Sequence, residues 1–420
     1  MNILQINTHD LDGGAGKLTY QLHRHLQDLG HTSKIVAATK TSRDVDVYGI
    51  VKRPGLNSIK KRLENQMSLQ YLLRCFPFQA LDQEPLQSAD VINLHDIIGG
   101  YFNYLALPKL SATIPTCWSL HNMWAFTGHC SYSFGCDRWK TGCYQCPLLR
   151  LKGEERELVG PEPTLFDLTR FVWGLKKRLY SRSRLHIVVG STWMKNQVEQ
   201  SILAGGASIV HIPDGACIDL FKPVDREMAR QSLNIPANVP VVMVYATYNP
   251  RKGLKYAIDA LSLLEEEKRP WIISVGQVGA LDELSGKYHI RDVGYIQSDI
   301  LRNLCHNAAD LMLLPTLADN LPLTVLDSLA SGTPVISFRV GGVPDAVRHM
   351  ETGYLAEYKN ASDLANGIRV LLGSGDLRLR MRSNCRKVAK EEFSLGLQAQ
   401  RYAELYGNLM EEIRFWNKQK

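Results

Sequence analysis

The stretch Leu314-Pro-Thr-Leu-Ala-Asp-Asn-Leu-Pro-Leu-Thr-Val-Leu-Asp-Ser-Leu-Ala-Ser-Gly-Thr-Pro-Val-Ile336 decides how the chain is read. "DLMLLPT" ends as a buried strand just before Asp319. Pro322 suits the first turn of a helix, where its missing N–H costs nothing, and Gly332 suits the residue just past a helix end. The pattern therefore predicts a helix from about Pro322 to Ser331, with Asp319 and Asn320 in the turn that enters it. Helical side chains tilt toward the N-terminus, so Asp327 leans toward the mouth that Asp319 borders. The free N–H groups there suit a phosphate. Two acids for hydroxyls beside amides for phosphate describe a sugar-nucleotide pocket. The bland alternative is a pair of solvated acids, with Asp319 as a cap.

The same alternation extends outward in both directions. "NILQIN", "SKIVAAT", "VINLHD", "TCWSLH", "HIVVGS" and "SIVHIP" read as buried strands in the first half. "VPVVMVYAT", "WIISVG", "RDVGYI", "DLMLLPT" and "PVISFRV" do so in the second. Amphipathic stretches such as "LTYQLHRHLQDLG" and "LKYAIDALSLLEEE" separate them. This order predicts an α/β class with parallel sheets covered by helices on both faces. The pattern restarts near residue 239, so two doubly wound, Rossmann-like domains are expected, joined through "PDGACIDLFKPVD" at 213–225. Ligands of open α/β sheets bind at the carboxyl ends of strands. Two such sheets facing each other would leave a cleft between them.

The 420 residues accommodate two domains, and 45% hydrophobic with 22% charged residues is ordinary for a globular protein. The net charge of +7 permits contact with phosphates or anionic lipid but proves neither. No apolar run approaches the roughly 18 residues of a membrane span. "MNILQINTHD" lacks a basic start, so a signal peptide is not expected and the protein is placed in the cytoplasm.

Taken on to Val347, the decisive stretch reads "PTLADNLPLTVLDSLASGTPVISFRVGGVPDAV". It resembles the most recognisable segment of the family-4 retaining glycosyltransferases, which have the GT-B fold. That family usually carries two glutamates at this spacing; here both are aspartate. "HIPDGACIDLFKP", "NPRKGLKYAIDAL", "TGYLAEYKNASDLANGIRVLL", "FSLGLQAQRYAELY" and "GGAGKLTYQLHRHLQDLGH" match further family segments in order.

The resemblance implies an acceptor-side domain at 1–216 and a donor-binding domain at 217–393. It also implies a terminal helix at 394–420 that packs back on the first domain. Asp319 would hold hydroxyls of the donor sugar and Asp327 the ribose. Backbone near Leu323 and Thr324 would meet the diphosphate, which Arg251 and Lys252 would neutralise, and Asn320 and Leu321 would belong to the same donor-binding set. Many members carry an arginine where Thr247 stands, so Arg251 is the expected substitute. Ile296, in "GYIQSDIL", would lie near the base. Gly13, Gly14 and Gly16 would line the ligand with backbone. Their Gly-Gly-x-Gly spacing departs from the dinucleotide fingerprint, and a plain tight turn is the alternative. His121 matches a family histidine near the transferred sugar, and His95 ends the neighbouring strand.

The catalytic set expected is thus His121, Lys252, Arg251 and Asp319. Retention would take a front-face course, with no cofactor or divalent ion required. The partners expected are a UDP-, GDP- or ADP-linked sugar and a glycan or lipid-linked acceptor, with no nucleic acid. Rival readings are a nucleotide-sugar 2-epimerase and a non-catalytic sugar-nucleotide binder.

"GHCSYSFGCDRWKTGCYQCP" places Cys130, Cys136, Cys143 and Cys146 in a Cys-rich insertion at about 128–150, spaced C-x5-C-x6-C-x2-C. Structural zinc, an iron–sulfur centre, disulfides and four unrelated thiols all stay open. Two basic segments suggest peripheral contact with the inner face of a membrane. One holds Arg170, Lys176, Lys177, Arg178, Arg182 and Arg184; the other holds Lys52, Arg53, Lys60, Lys61 and Arg62. A solvated helix face is the alternative.

Overall fold

The fold was read from a computed structural model, which describes residues 1–50, 64, 66–69, 71–72, 76–77, 84–151 and 166–418. The chain divides into two compact units. One holds Met1–Pro213 with Leu395–Lys420, the other Asp214–Ser394.

The first unit is built on seven strands: β1 (Asn2–His9), β2 (Thr32–Thr39), β3 (Val47–Gly49), β4 (Val91–Leu94), β5 (Thr116–Leu120), β6 (Leu185–Val189) and β7 (Ser208–His211). They pair in the order β3-β2-β1-β4-β5-β6-β7, every pairing parallel. β4 and β5 are buried along their whole length, as strands covered on both faces must be. The sequence pattern did not register β3, which is three residues long at the sheet edge, nor the strand Gly353–Ala356 of the second unit.

The helix Leu395–Lys418 belongs to this unit. Its Ala399, Tyr402, Tyr406 and Leu409 pack with Ile3, Leu22, Leu26, Cys117, Val188 and Ile212.

The second unit carries β8 (Val241–Ala246), β9 (Trp271–Gly276), β10 (Ile290–Gly294), β11 (Leu311–Leu313), β12 (Val335–Phe338) and β13 (Gly353–Ala356). Their order is β10-β9-β8-β11-β12-β13, again all parallel. In each sheet the order in which successive strands are added therefore reverses at one place, between β1 and β4 in the first unit and between β8 and β11 in the second. Crevices for ligands open at such switch points, at the carboxyl ends of the strands.

Candidate functional site

In the second unit the predicted donor residues gather at the switch point. Residues 249–253 form a tight turn after β8, and Pro315–Asp319 leave β11. The Asn249 side chain caps the turn by accepting from the Arg251 N–H at 3.1 Å. The Leu317 N–H and the Thr316 hydroxyl both donate to the Arg251 carbonyl, at 2.7 and 3.1 Å. Gly253 sits at φ +73°, and a Cβ there would lie 1.9 Å from the Pro315 carbonyl oxygen. Only glycine lets the two segments meet so closely.

This turn aims both cations at Asp319. Arg251 Nη1 donates to Asp319 Oδ1 at 2.8 Å and Lys252 Nζ to Oδ2 at 2.6 Å. The Thr316 hydroxyl adds a third bond, at 3.0 Å. Burial works against charge on Asp319, but Lys252 and then Arg251 outweigh it and hold the carboxyl below its ordinary range. Lys252 is itself lowered, burial outweighing the help of Asp319. Both cations keep about a fifth of their side-chain surface open, 21% and 23%.

The helix entered after Asp319 runs Leu323–Ala330, with Pro322 at its N-cap and Gly332 at φ +76° beyond its end. Leu323 and Thr324 occupy its first turn, where backbone N–H groups lack intrahelical acceptors. The Thr324 hydroxyl is enclosed without a partner. Asn320 and Leu321 are buried in the entering turn.

Asp327 is 6% exposed and faces Arg302, whose Nη1 is 3.8 Å from its Oδ2. Burial pushes its carboxyl up to about 7, against the pull of Arg302 and with a further push from Asp299. Ile296 is 8% exposed and packs with Val275, Ile273 and Cys305. Arg302 and Thr316 were not singled out in the sequence. Thr316 lies inside the acid motif but carries no signal of its bond to Asp319, and Arg302 lies outside it, so that only the fold brings Arg302 to Asp327.

In the first unit Gly13 and Gly14 stand exposed at the start of the helix Gly13–Asp28, with open space around both. Gly16 is buried, and a Cβ built on it would lie 3.1 Å from the His9 carbonyl oxygen, so its lack of a side chain lets the helix lie close to the end of β1.

His95 comes directly after β4 and His121 directly after β5. Their rings stack 5.3 Å apart, tilted by 8°, with His95 Nδ1 3.0 Å from His121 Nε2. Burial lowers both, His121 to about 4, so each is neutral near pH 7. The residue after each histidine matters too. Asn122 Nδ2 donates to Asp96 Oδ1 at 2.9 Å, and burial pushes Asp96 up to about 6 despite that bond. The repeated pattern of strand, histidine and polar residue in "VINLHD" and "CWSLHN" was the signal for this pair.

The four insertion cysteines and His129 line one small pocket. Burial pushes the Cys143 thiol up to about 11, although the Gly128 N–H donates to its sulfur. As placed, no three His, Cys, Asp or Glu side chains among the described residues are arranged to hold a metal ion.

The basic helix Thr169–Tyr180 corrects one expectation. Arg170, Lys177 and Arg178 face solvent, as do Arg182 and Arg184 beyond it, but Lys176 is fully buried. It lies on the inward stripe with Thr169, Val172 and Tyr180. Its ammonium donates to the Trp124 and Thr127 carbonyls at 2.6 and 3.0 Å and lies 3.5 Å from the Trp124 ring centre. Helical spacing, three and four residues from apolar neighbours, turns it inward. The second basic segment, with Lys52, Arg53, Lys60, Lys61 and Arg62, lies outside the described residues. No helix among the described residues is long and apolar enough to cross a membrane.

Comparison with known proteins fits this geometry. The family described as Glycosyltransferase Family 4 matches residues 12–219, and that described as Glycosyl transferases group 1 matches residues 225–388. A D-inositol 3-phosphate glycosyltransferase of Corynebacterium aurimucosum is 29% identical over 221 residues, 48% of this chain and 52% of that protein. An N-acetyl-alpha-D-glucosaminyl L-malate synthase of Bacillus anthracis is 22% identical over 62% of this chain and 68% of that protein. The chain spans about half the length of the first curated relatives it matches.

Among solved structures, the sucrose-phosphate synthase of Thermosynechococcus elongatus superposes with a TM-score of 0.68 at 18% identity, covering 98% of this chain and 99% of that one. Anabaena HepE in complex with UDP and glucose superposes with a TM-score of 0.66 at 19% identity, covering 96% and 99%. With two all-parallel Rossmann-like sheets and a family match in each half, the chain belongs to the family-4 glycosyltransferases of the GT-B fold.

Proposed function

We propose that the protein transfers a sugar from a nucleotide diphosphate to a hydroxyl of a glycan or lipid-linked glycan, with retention at the anomeric carbon. The observation that carries this is the convergence of Arg251, Lys252 and Asp319 at the switch point of the second sheet. Transfer builds negative charge on the departing diphosphate. Two partly exposed cations and a helix start stabilise that charge without a metal. Asp319 would take up sugar hydroxyls and Asp327 the ribose. The bond from the acceptor oxygen to the anomeric carbon forms as the bond to phosphate breaks. The acceptor proton passes to the leaving phosphate on the same face, which preserves configuration. That a solved relative of the same fold holds UDP and glucose supports a nucleotide-sugar donor.

The test is calorimetry against UDP-, GDP- and ADP-sugars, with product analysis on glycan acceptors as the second step. Uptake of one donor, nucleotide release and an α-to-α product are expected for an α-linked donor. No uptake of any donor overturns the reading. Uptake with epimerised or unchanged sugar assigns the protein to the 2-epimerase or binding class instead.

For the cysteine pocket we propose structural zinc, because four thiols and His129 line a single cavity. The thiols would have to draw inward around the ion. Elemental analysis of protein purified without chelator decides it: about one zinc per chain supports the proposal, and its absence removes it.

A further inference from the structure

At the amino ends of the strands of the second unit, away from the turn 249–253, four arginines gather around one acid. Asp310 directly precedes β11 and is 4% exposed. Arg226 and Arg230 stand one turn apart on the helix Arg226–Ser232. Arg378 and Arg382 stand one turn apart on the helix Gly375–Glu392. Residues four apart share a helix face, so each helix turns a pair of guanidinium groups the same way.

The acid is already fully engaged. Asp310 Oδ1 accepts from Arg226 Nη2 and faces Arg378 Nε at 3.3 Å. Oδ2 accepts from Arg230 Nη2 at 3.0 Å and from the Val241 N–H at 2.8 Å. A carboxylate offers about four acceptor sites, and four donors hold these. Arg230 places Nε on the Ala308 carbonyl at 3.0 Å and Nη1 on the Ala237 carbonyl. Arg378 donates through Nη1 to the Leu371 and Leu372 carbonyls at 2.7 and 2.6 Å. Arg226 Nε and Arg382 Nη1 are enclosed with no acceptor.

Four guanidinium charges therefore stand against one carboxylate. Among the described residues no other carboxylate pairs with any of the four. Burial lowers Arg382, and Arg226 lowers it further against the pull of Asp310. Water would satisfy the two enclosed N–H groups but not the excess charge, and a charge withdrawn from water without a partner is costly. The complement of such a cluster is a compact anion whose acceptor oxygens point in several directions, as those of a tetrahedral phosphate do. Arg226 and Arg378 keep 34% and 22% of their side-chain surface open, so an ion can enter from solvent. We propose that Arg226, Arg378 and Arg382 bind a phosphate group, inorganic or carried by a phosphate monoester, at a site separate from the one formed by Arg251 and Lys252. This site stands whether or not the protein transfers sugar.

The test is the melting temperature and calorimetry of the full-length protein in inorganic phosphate, against chloride at equal ionic strength. Lys252→Ala serves as the control for phosphate held at the turn 249–253. Phosphate is expected to raise the melting temperature of the wild type and of Lys252→Ala alike. Arg382 makes no bond to Asp310, so Arg382→Met leaves the bonds of that acid in place. This variant is expected to bind phosphate about tenfold more weakly or worse and to lose most of the phosphate-dependent shift. An arginine with a purely structural role would cost the same stability in both salts, and that result overturns the site. So does a phosphate response that disappears in Lys252→Ala, or none in the wild type. Glycerol 3-phosphate in place of phosphate separates the two sources: tighter binding supports a monoester as the ligand, weaker binding the free ion. If Arg382→Met does not fold, Arg226→Gln replaces it, with the same expected loss of the phosphate response and the same overturning result.

Discussion

Asp319 is held on one side by Lys252 and on the other by Arg251, one cation on each carboxylate oxygen, at 2.6 and 2.8 Å. On the function proposed above, the acid occupies the cations that a diphosphate would engage, and sugar and phosphate recognition would be coupled through these three side chains. An aspartate, one methylene shorter than the family's glutamate, already reaches both cations.

Lys252→Ala is expected to weaken nucleotide-sugar binding by roughly ten- to a hundredfold, the scale of a lost charge-assisted contact. Calorimetry checks this, with the melting temperature as a control for folding. Equal affinity in the variant removes Lys252 from the site.

Asp327 predicts a pH dependence. Its carboxyl, pushed up to about 7 by burial, holds a proton more tightly in the folded than in the unfolded chain. That preference contributes stability below the ordinary carboxyl range, and the contribution is lost as pH rises through about 7. Asp327→Asn lacks the effect. The melting temperature of the wild type minus that of the variant should fall between pH 4 and pH 7–8, and a difference independent of pH refutes the assignment.

Gly253→Ala tests the turn. A Cβ 1.9 Å from the Pro315 oxygen, at φ +73°, forces the turn away from the end of β11. A loss of about 2 kcal/mol or more in denaturant unfolding is expected, with nucleotide binding weakened in parallel. Unchanged stability would show that the two segments can separate freely.

The basic helix makes a surface prediction. Arg170, Lys177, Arg178, Arg182 and Arg184 are exposed, and Phe171 beside them is 56% exposed. Flotation with anionic vesicles should show binding at low salt that fades as screening grows. Vesicles of neutral lipid should show none. Lys177→Glu with Arg178→Glu should abolish binding, and no flotation at low salt disposes of membrane contact through this face.

Much of the fold was legible because parallel strands covered on both faces must be continuous apolar runs. "VINL" and "TCWSL" have few other readings. β3 escaped because three edge residues, two of them exposed, carry no such signature. At the site, local pattern placed Asp319, Asp327 and the helix between them. It could not place Arg302 against Asp327, since that contact depends on how two helices pack. Lys176 was misread for the opposite reason. A cation in a basic run reads as surface, and nothing local announces that two carbonyls and an indole face meet this ammonium inside, where burial lowers it to about 7. Asn93 and Tyr406, 313 positions apart, share a hydrogen bond that no local pattern could announce.

The chain passes from the first unit to the second at Pro213 and returns at Ser394. Near those points the Ala216 N–H donates to the Phe393 carbonyl at 2.7 Å, and Ala216 bridges Ser394 in parallel. The entry and exit segments of the second unit thus run as neighbours, like the two wires of one plug. A module with such adjoining ends can be excised, rejoined head to tail or exchanged for that of a relative without stretching the chain on either side. Chimaeras that keep the first unit and swap residues 214–394 would separate what each half contributes to the choice of substrate.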